Sequence, residues 1–98
     1  MHKVANIILE QLGGNKFLVM TGAKNLVSSD YSLFFSIPLT KKINRVQITL
    51  NPDDVYEMTF LKYNSKTLML EEIHKISGLH ADMLAPVFEL KTGLATKL

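Results

Sequence analysis

Lys16, Lys24, Lys41, Lys42 and Arg45 are the residues whose type and spacing come nearest to a chemistry in this chain. Cations with Tyr31 and Phe34 among them are the parts that single-stranded nucleic-acid binding uses, because lysine and arginine neutralise phosphate while any base stacks on an aromatic face. Residues 1–50 hold six Lys or Arg against two Asp or Glu, a net +4; residues 51–98 hold five against seven, a net −2. An overall charge of +2 therefore conceals a basic half, which hints at an anionic partner. The plainer reading is a solvated basic face and aromatics needed for a core. No aromatic cluster of the RNA-recognition type is present.

Other candidates carry less. His74, His80 and Asp82 could serve a metal or acid–base site, but a metal needs three to four ordered ligands, and His74 reads as a surface histidine on a strand while His80 sits where a helix begins. Glu71 and Glu72 are adjacent on a strand and point to opposite faces, so they cannot act as an acid/base couple. Asp53 and Asp54 belong to a turn. Ser28, Ser29 and Ser77 lack a nucleophile elbow or a histidine and acid in recognisable order. An enzyme is the class with least support, and no metal or cofactor is expected. Met20, Met58, Met69 and Met83 could form an adaptable partner surface, although methionine more often fills core gaps.

Composition sets the frame. Ninety-eight residues, 47% hydrophobic and 20% charged, suit one globular domain spanning 1–98 that folds alone. Without cysteine there is no disulfide, no thiolate nucleophile and no cysteine-ligated metal. The apolar run after Met1-His2-Lys3 is interrupted by Asn6, Glu10 and Gln11, and no small-residue cleavage site follows. A membrane span needs about 20 apolar residues, and no such run occurs. The expected compartment is the cytoplasm.

The elements that would position the cations can be read from periodicity. Val4, Ile7, Ile8 and Leu12 mark one face of a helix over Lys3 to Leu12, and Gly13 or Gly14 can take the left-handed conformation that closes it. Glycines after a helix and before a strand are a stop signal, since a phosphate loop has the reverse order. Lys16 to Met20 reads as strand because Phe17, Leu18, Val19 and Met20 are consecutively apolar. Gly22 to Asn25 then reads as a bulge or kink in a long first strand arm that resumes at Leu26-Val27, projecting Lys24 and Asn25 away from the sheet. Asn25 thereby joins the candidate set.

Strand two should run from Tyr31 to Ile37 with Leu33, Phe35 and Ile37 inward, and Pro38 should end it by removing a ladder donor. Strand three covers Arg45 to Leu50, and Asn51-Pro52-Asp53-Asp54 is a type I turn. Strand four covers Val55 to Lys62, Asn64-Ser65 turns the chain, and Thr67 to Ile76 supplies strand five. The last helix should start at Ala81 or Asp82, placing Pro86 in or near its first turn, and end at Gly93. The fold class is α+β, an antiparallel five-stranded meander with an amino-terminal and a carboxy-terminal helix on one face, in the order α-β-β-β-β-β-α. Val4, Ile8, Phe35, Ile48, Met58, Phe60, Met83, Val87 and Phe88 are the expected core.

Four blocks, QLGGNKF, MTGAKN, ITLNPDDVYEMTF and ADMLAPVFELKTGL, together resemble a small family of uncharacterised proteins found mainly in bacteriophages and prophage or other mobile-element regions. The similarity covers nearly the whole chain. It implies a phage or mobile-element context within a bacterial host and no defined activity. Two expectations follow for function: a non-enzymatic accessory protein binding nucleic acid through Lys16, Lys24, Asn25, Lys41, Lys42 and Arg45, or a protein-binding modulator or inhibitor of a host or phage complex. The sequence sets no oligomeric state.

Overall fold

The computed structural model describes residues 2–97. Helix α1 spans Lys3–Leu12, with Ala5, Ile8 and Leu12 buried along one face. Gly13, at φ 129°, ends it by donating its N–H to the carbonyls of Leu9 and Glu10. The next segment departs from the sequence reading. Asn15–Thr21 is a second helix, α2, where a strand was expected. Four consecutive apolar residues do not reveal a period, and here the period is helical: Phe17 is buried, whereas Val19 is 82% exposed. Phe17 is what fixes the choice, because the helix drops its ring between Phe35 and Phe88, with centroids 5.5 and 5.2 Å away. Gly22, at φ 72°, is the left-handed cap of α2 and not a kink within a strand.

Five antiparallel strands follow as a meander in the order β1-β2-β3-β4-β5. They are β1 Lys24–Ser28, β2 Ser32–Thr40, β3 Ile43–Leu50, β4 Tyr56–Asn64 and β5 Met69–Leu79. The expected bulge falls inside the short β1, between Lys24 and Val27, with Asn25 at φ 56°. Pro38 does not end β2. The strand passes through it to Thr40, and the register shifts between Ser36 and Thr40, so the missing donor falls where the ladder is already irregular. Lys41 and Lys42, both at positive φ, make the two-residue turn into β3. The Asn51 turn closes as expected, the Asp54 N–H donating to the Asn51 carbonyl at 2.9 Å. Strands β4 and β5 run longer than expected, and Asn64 Oδ1 organises their turn by accepting from the N–H groups of Lys66 and Thr67.

A 3-10 turn over Ala81–Met83 leads into helix α3, Leu84–Thr92, so helical structure starts at Ala81 and Pro86 lies in the first turn of α3, where a lost donor costs little. Gly93 caps the end at φ 76°. The helices cover one sheet face, on which Leu33, Phe35, Val46, Ile48, Met58 and Phe60 are fully buried with Ile8, Leu84 and Phe88. Val4 and Val87 are half-buried against this core. Met83 is not part of it. It is 39% exposed, because the step from 3-10 turn to α-helix turns Leu84 inward in its place, and its sulfur accepts the His80 N–H at 3.5 Å. Among the described residues no helix covers the opposite face, which presents Phe34, Arg45, Gln47, Thr49, Glu57, Tyr63, Leu70, Glu72 and Lys75.

Candidate nucleic-acid interface

The meander decides where each candidate cation goes. Lys24 pairs with Ser36, Ser36 with Arg45, Arg45 with Leu61 and Leu61 with Glu72. These five residues form one cross-strand row on the uncovered face, with Lys24 and Arg45 about 10 Å apart at two strand spacings. Lys42 sits just beyond, in the β2–β3 turn. Asn25 occupies the bulge next to Lys24. Lys16 is not brought to the sheet, since it lies exposed on α2.

Lys41 is committed elsewhere. Its Cε and Nζ lie 3.4 and 3.7 Å from where a Cβ on Gly93 would stand, so the ammonium group rests at the carboxy-terminal end of α3. The neighbouring Thr40 Oγ1 donates to the Thr92 carbonyl at 2.8 Å. A cation there complements the partial negative charge of the helix end.

Arg45 has the most defined setting. Its guanidinium carbon lies 5.0 Å from the centroid of the Tyr63 ring, and Nη1 donates to the Asn44 carbonyl at 2.8 Å. Asn44 in turn holds Tyr63 at both backbone groups: its Nδ2 donates to the Tyr63 carbonyl at 3.0 Å and its Oδ1 accepts the Tyr63 N–H at 2.7 Å. Phe34, Arg45, Tyr63 and Leu70 line one shallow depression. The strand expected over Val55 to Lys62 stops one residue short of Tyr63, which β4 in fact includes. The signal existed, since Tyr63 keeps the alternation of Thr59 and Leu61.

Tyr31, the other ring expected to be available for stacking, lies at the far end of the sheet, where its carbonyl accepts the Leu50 N–H. It lines a pocket with Leu50, Asn51, Pro52 and Asp54. That end is acidic. All four aspartates are there: Asp30 before β2, Asp53 and Asp54 in the β3–β4 turn, and Asp82 after β5. The end holding the β2–β3 and β4–β5 turns carries Lys41, Lys42 and Lys66, with Lys24, Arg45 and Lys62 on the adjoining strands. Its acids on the sheet are Glu71, opposite Lys62, and Glu72, opposite Leu61; on the helix side Glu89, one turn before the end of α3, accepts from the Thr96 N–H and hydroxyl. Among the described residues the ion pairs within 4.0 Å are His2–Asp30 and Lys75–Glu57, so the side chains of Lys24, Lys42, Arg45, Lys62 and Lys66 have no carboxylate that close.

No family model, curated protein or solved structure matches this chain.

One arrangement that sequence spacing concealed is Ser28, His2 and Asp30. The His2 Nδ1 is 2.9 Å from Ser28 Oγ, and Nε2 is 3.6 Å from Asp30 Oδ1. Nothing in the sequence marks residues 26 positions apart as neighbours. At 3.6 Å the carboxylate is beyond hydrogen-bond reach, and with Asp30 82% exposed it gives little orientation to the ring. These residues tie the start of α1 to β1. Among the described residues no three or more of His, Cys, Asp and Glu gather where a metal could bind, and no helix is long and apolar enough to cross a membrane. His74 instead lays its ring edge-on to Phe60 at 6.4 Å.

Proposed function

We propose that this protein is a small non-enzymatic accessory domain that binds nucleic acid at the end of the sheet formed by the β2–β3 and β4–β5 turns. The observation that carries the reading is the separation of charge along the strands: Lys24, Lys42, Arg45, Lys62 and Lys66 lie toward one end, with no carboxylate within 4.0 Å of them among the described residues, and the four aspartates lie at the other. A polyanion approaching such a molecule is attracted to one end and repelled from the other. The phage or mobile-element context implied by the sequence blocks, and a bacterial cytoplasm, belong to this proposal.

Fluorescence anisotropy with labelled oligonucleotides at two salt concentrations tests it. Affinity should fall steeply between about 50 and 200 mM salt, and each of Lys42→Ala and Lys66→Ala should lower the salt slope by about 0.7 to 0.9, one phosphate contact each. Absence of binding at low salt and high protein concentration would overturn the reading. The alternative, a protein-binding modulator, draws on the β4–β5 tip, where Leu68, Met69 and Leu70 are 72%, 66% and 50% exposed in succession. A partner held there would show little dependence on salt.

A further inference from the structure

We infer that the depression between Phe34, Arg45, Tyr63 and Leu70 receives an unpaired nucleobase, so that the nucleic acid this protein selects is single-stranded. This rests on the nucleic-acid reading above and names its ligand.

The four residues come from four neighbouring strands, one each from β2, β3, β4 and β5, and lie diagonally across the uncovered face. Three strand spacings make the stripe about 14 Å wide. Its floor is not a closed pocket. A shallow, largely apolar dip offers nothing to the edge of a stacked base pair, whose flat faces are hidden within the duplex, but it accepts the flat face of a base that has left its stack.

Arg45 is arranged for that contact before any ligand arrives. Tyr63 lies against one side of its guanidinium and the Asn44 carbonyl takes one of its N–H groups, so little side-chain freedom remains to be lost on binding. The side turned away from Tyr63 can stack on a base, and the remaining N–H groups can reach phosphate or base edge. Asn44 fixes Tyr63 through its backbone, which keeps the ring beneath Arg45.

The charges around the stripe set the path of the backbone. Lys24 lies in the same cross-strand row as Arg45, and Lys42 and Lys66 stand in the two turns above the stripe, so phosphates meet cations along that side. Below it, Glu57 is paired with Lys75 at 3.6 Å and also accepts the Ser77 hydroxyl, so that part of the face is already satisfied. Glu72 is the one acid in the Arg45 row, two strands away, and it bounds the site on the β5 side.

The test compares a labelled thymidine oligonucleotide with a duplex of equal length at about 50 mM salt. Single strand should bind roughly tenfold or more tightly, as expected for one or two bases stacked on side chains. Phe34→Ala and the charge-neutral Leu70→Ser should lower single-strand affinity by about tenfold and leave duplex affinity where it was, whereas Lys42→Ala should weaken both alike. Leu70 is half exposed, so Leu70→Ser tests the stripe even if Phe34→Ala disturbs the sheet. The chain has no tryptophan, so tyrosine emission reports directly: single strand should quench it, and Tyr63→Leu should remove most of that quenching. Equal affinity for single strand and duplex, or stripe variants that bind as before, would overturn the base-binding stripe and leave the basic end standing. No binding of either oligonucleotide would overturn both.

Discussion

Lys41 and Lys42 are adjacent and identical in type, yet the fold uses them differently. Both hold positive φ in one hairpin turn, but only Lys41 lies along the carboxy-terminal end of α3. Lys41→Ala should therefore lower stability by about 0.3–1 kcal/mol through loss of the helix-end cation, while nucleic-acid affinity changes little. Lys42→Ala should do the reverse, staying within about 0.5 kcal/mol in a denaturant melt and weakening oligonucleotide binding. A sequence can identify both as basic. It cannot show that one is used by a helix end 52 residues away, because that contact depends on how the hairpin and α3 dock.

Tyr56 gives a second test at this scale. Burial raises its phenol above the ordinary value near 10, and the neighbouring charge of Asp54 raises it further. Below about pH 10 the side chain is neutral in both folded and unfolded chains and contributes no pH dependence. As pH climbs past that value the unfolded chain loses its proton first, so the unfolded state is favoured and stability falls until the folded protein titrates too. Urea melts of wild type and Tyr56→Phe at pH 8 and pH 11 should show a smaller alkaline loss in the variant. An equal loss in both would mean that Tyr56 ionises alike in the two states.

At the scale of elements, the strands and end helices were legible because their periods were long enough to count. Leu33, Phe35 and Ile37, and then Val46 and Ile48, alternate cleanly and face the core. The segment Lys16 to Met20 was not legible, since four apolar residues in a row fit either a covered strand or one turn of helix. What separates the two is tertiary: α2 carries Phe17 to Phe35 and Phe88 and leaves Val19 in water. Val19→Lys should consequently stay within about 0.5 kcal/mol of wild type, where a strand covered on both faces would lose far more. Gly22→Ala should cost about 1 kcal/mol or more, because its φ of 72° disfavours a side chain and an added Cβ would stand 3.3 Å from Pro38 Cγ. Thermal melts of the two variants check the helix from its exposed side and from its cap. The stripe suffered from the same kind of boundary, because ending β4 at Lys62 excluded Tyr63, the ring on which Arg45 rests.

For the whole molecule, the halves of the sequence are a poor guide to the charge that a partner meets. Residues 51–98 are net negative, yet they send Lys62 and Lys66 to the basic end, while the basic first half sends Asp30 to the acidic one. An up-and-down meander sorts residues by their position along each strand, so alternate turns gather at the same end whatever their separation in sequence. Glu72 is the exception that a partner would feel, an acid on the uncovered face of the basic end. Removing its charge in Glu72→Gln should raise nucleic-acid affinity several-fold at about 50 mM salt and progressively less as salt rises, because screening shortens the reach of the carboxylate. Glu57→Gln is the control lower on the same face: its charge is already met by Lys75, so binding should change less, while the freed lysine costs little at the surface. Anisotropy titrations of both variants across salt read the difference directly. If Glu72→Gln bound no better than Glu57→Gln, the anion would have to approach from a side other than the Arg45 row.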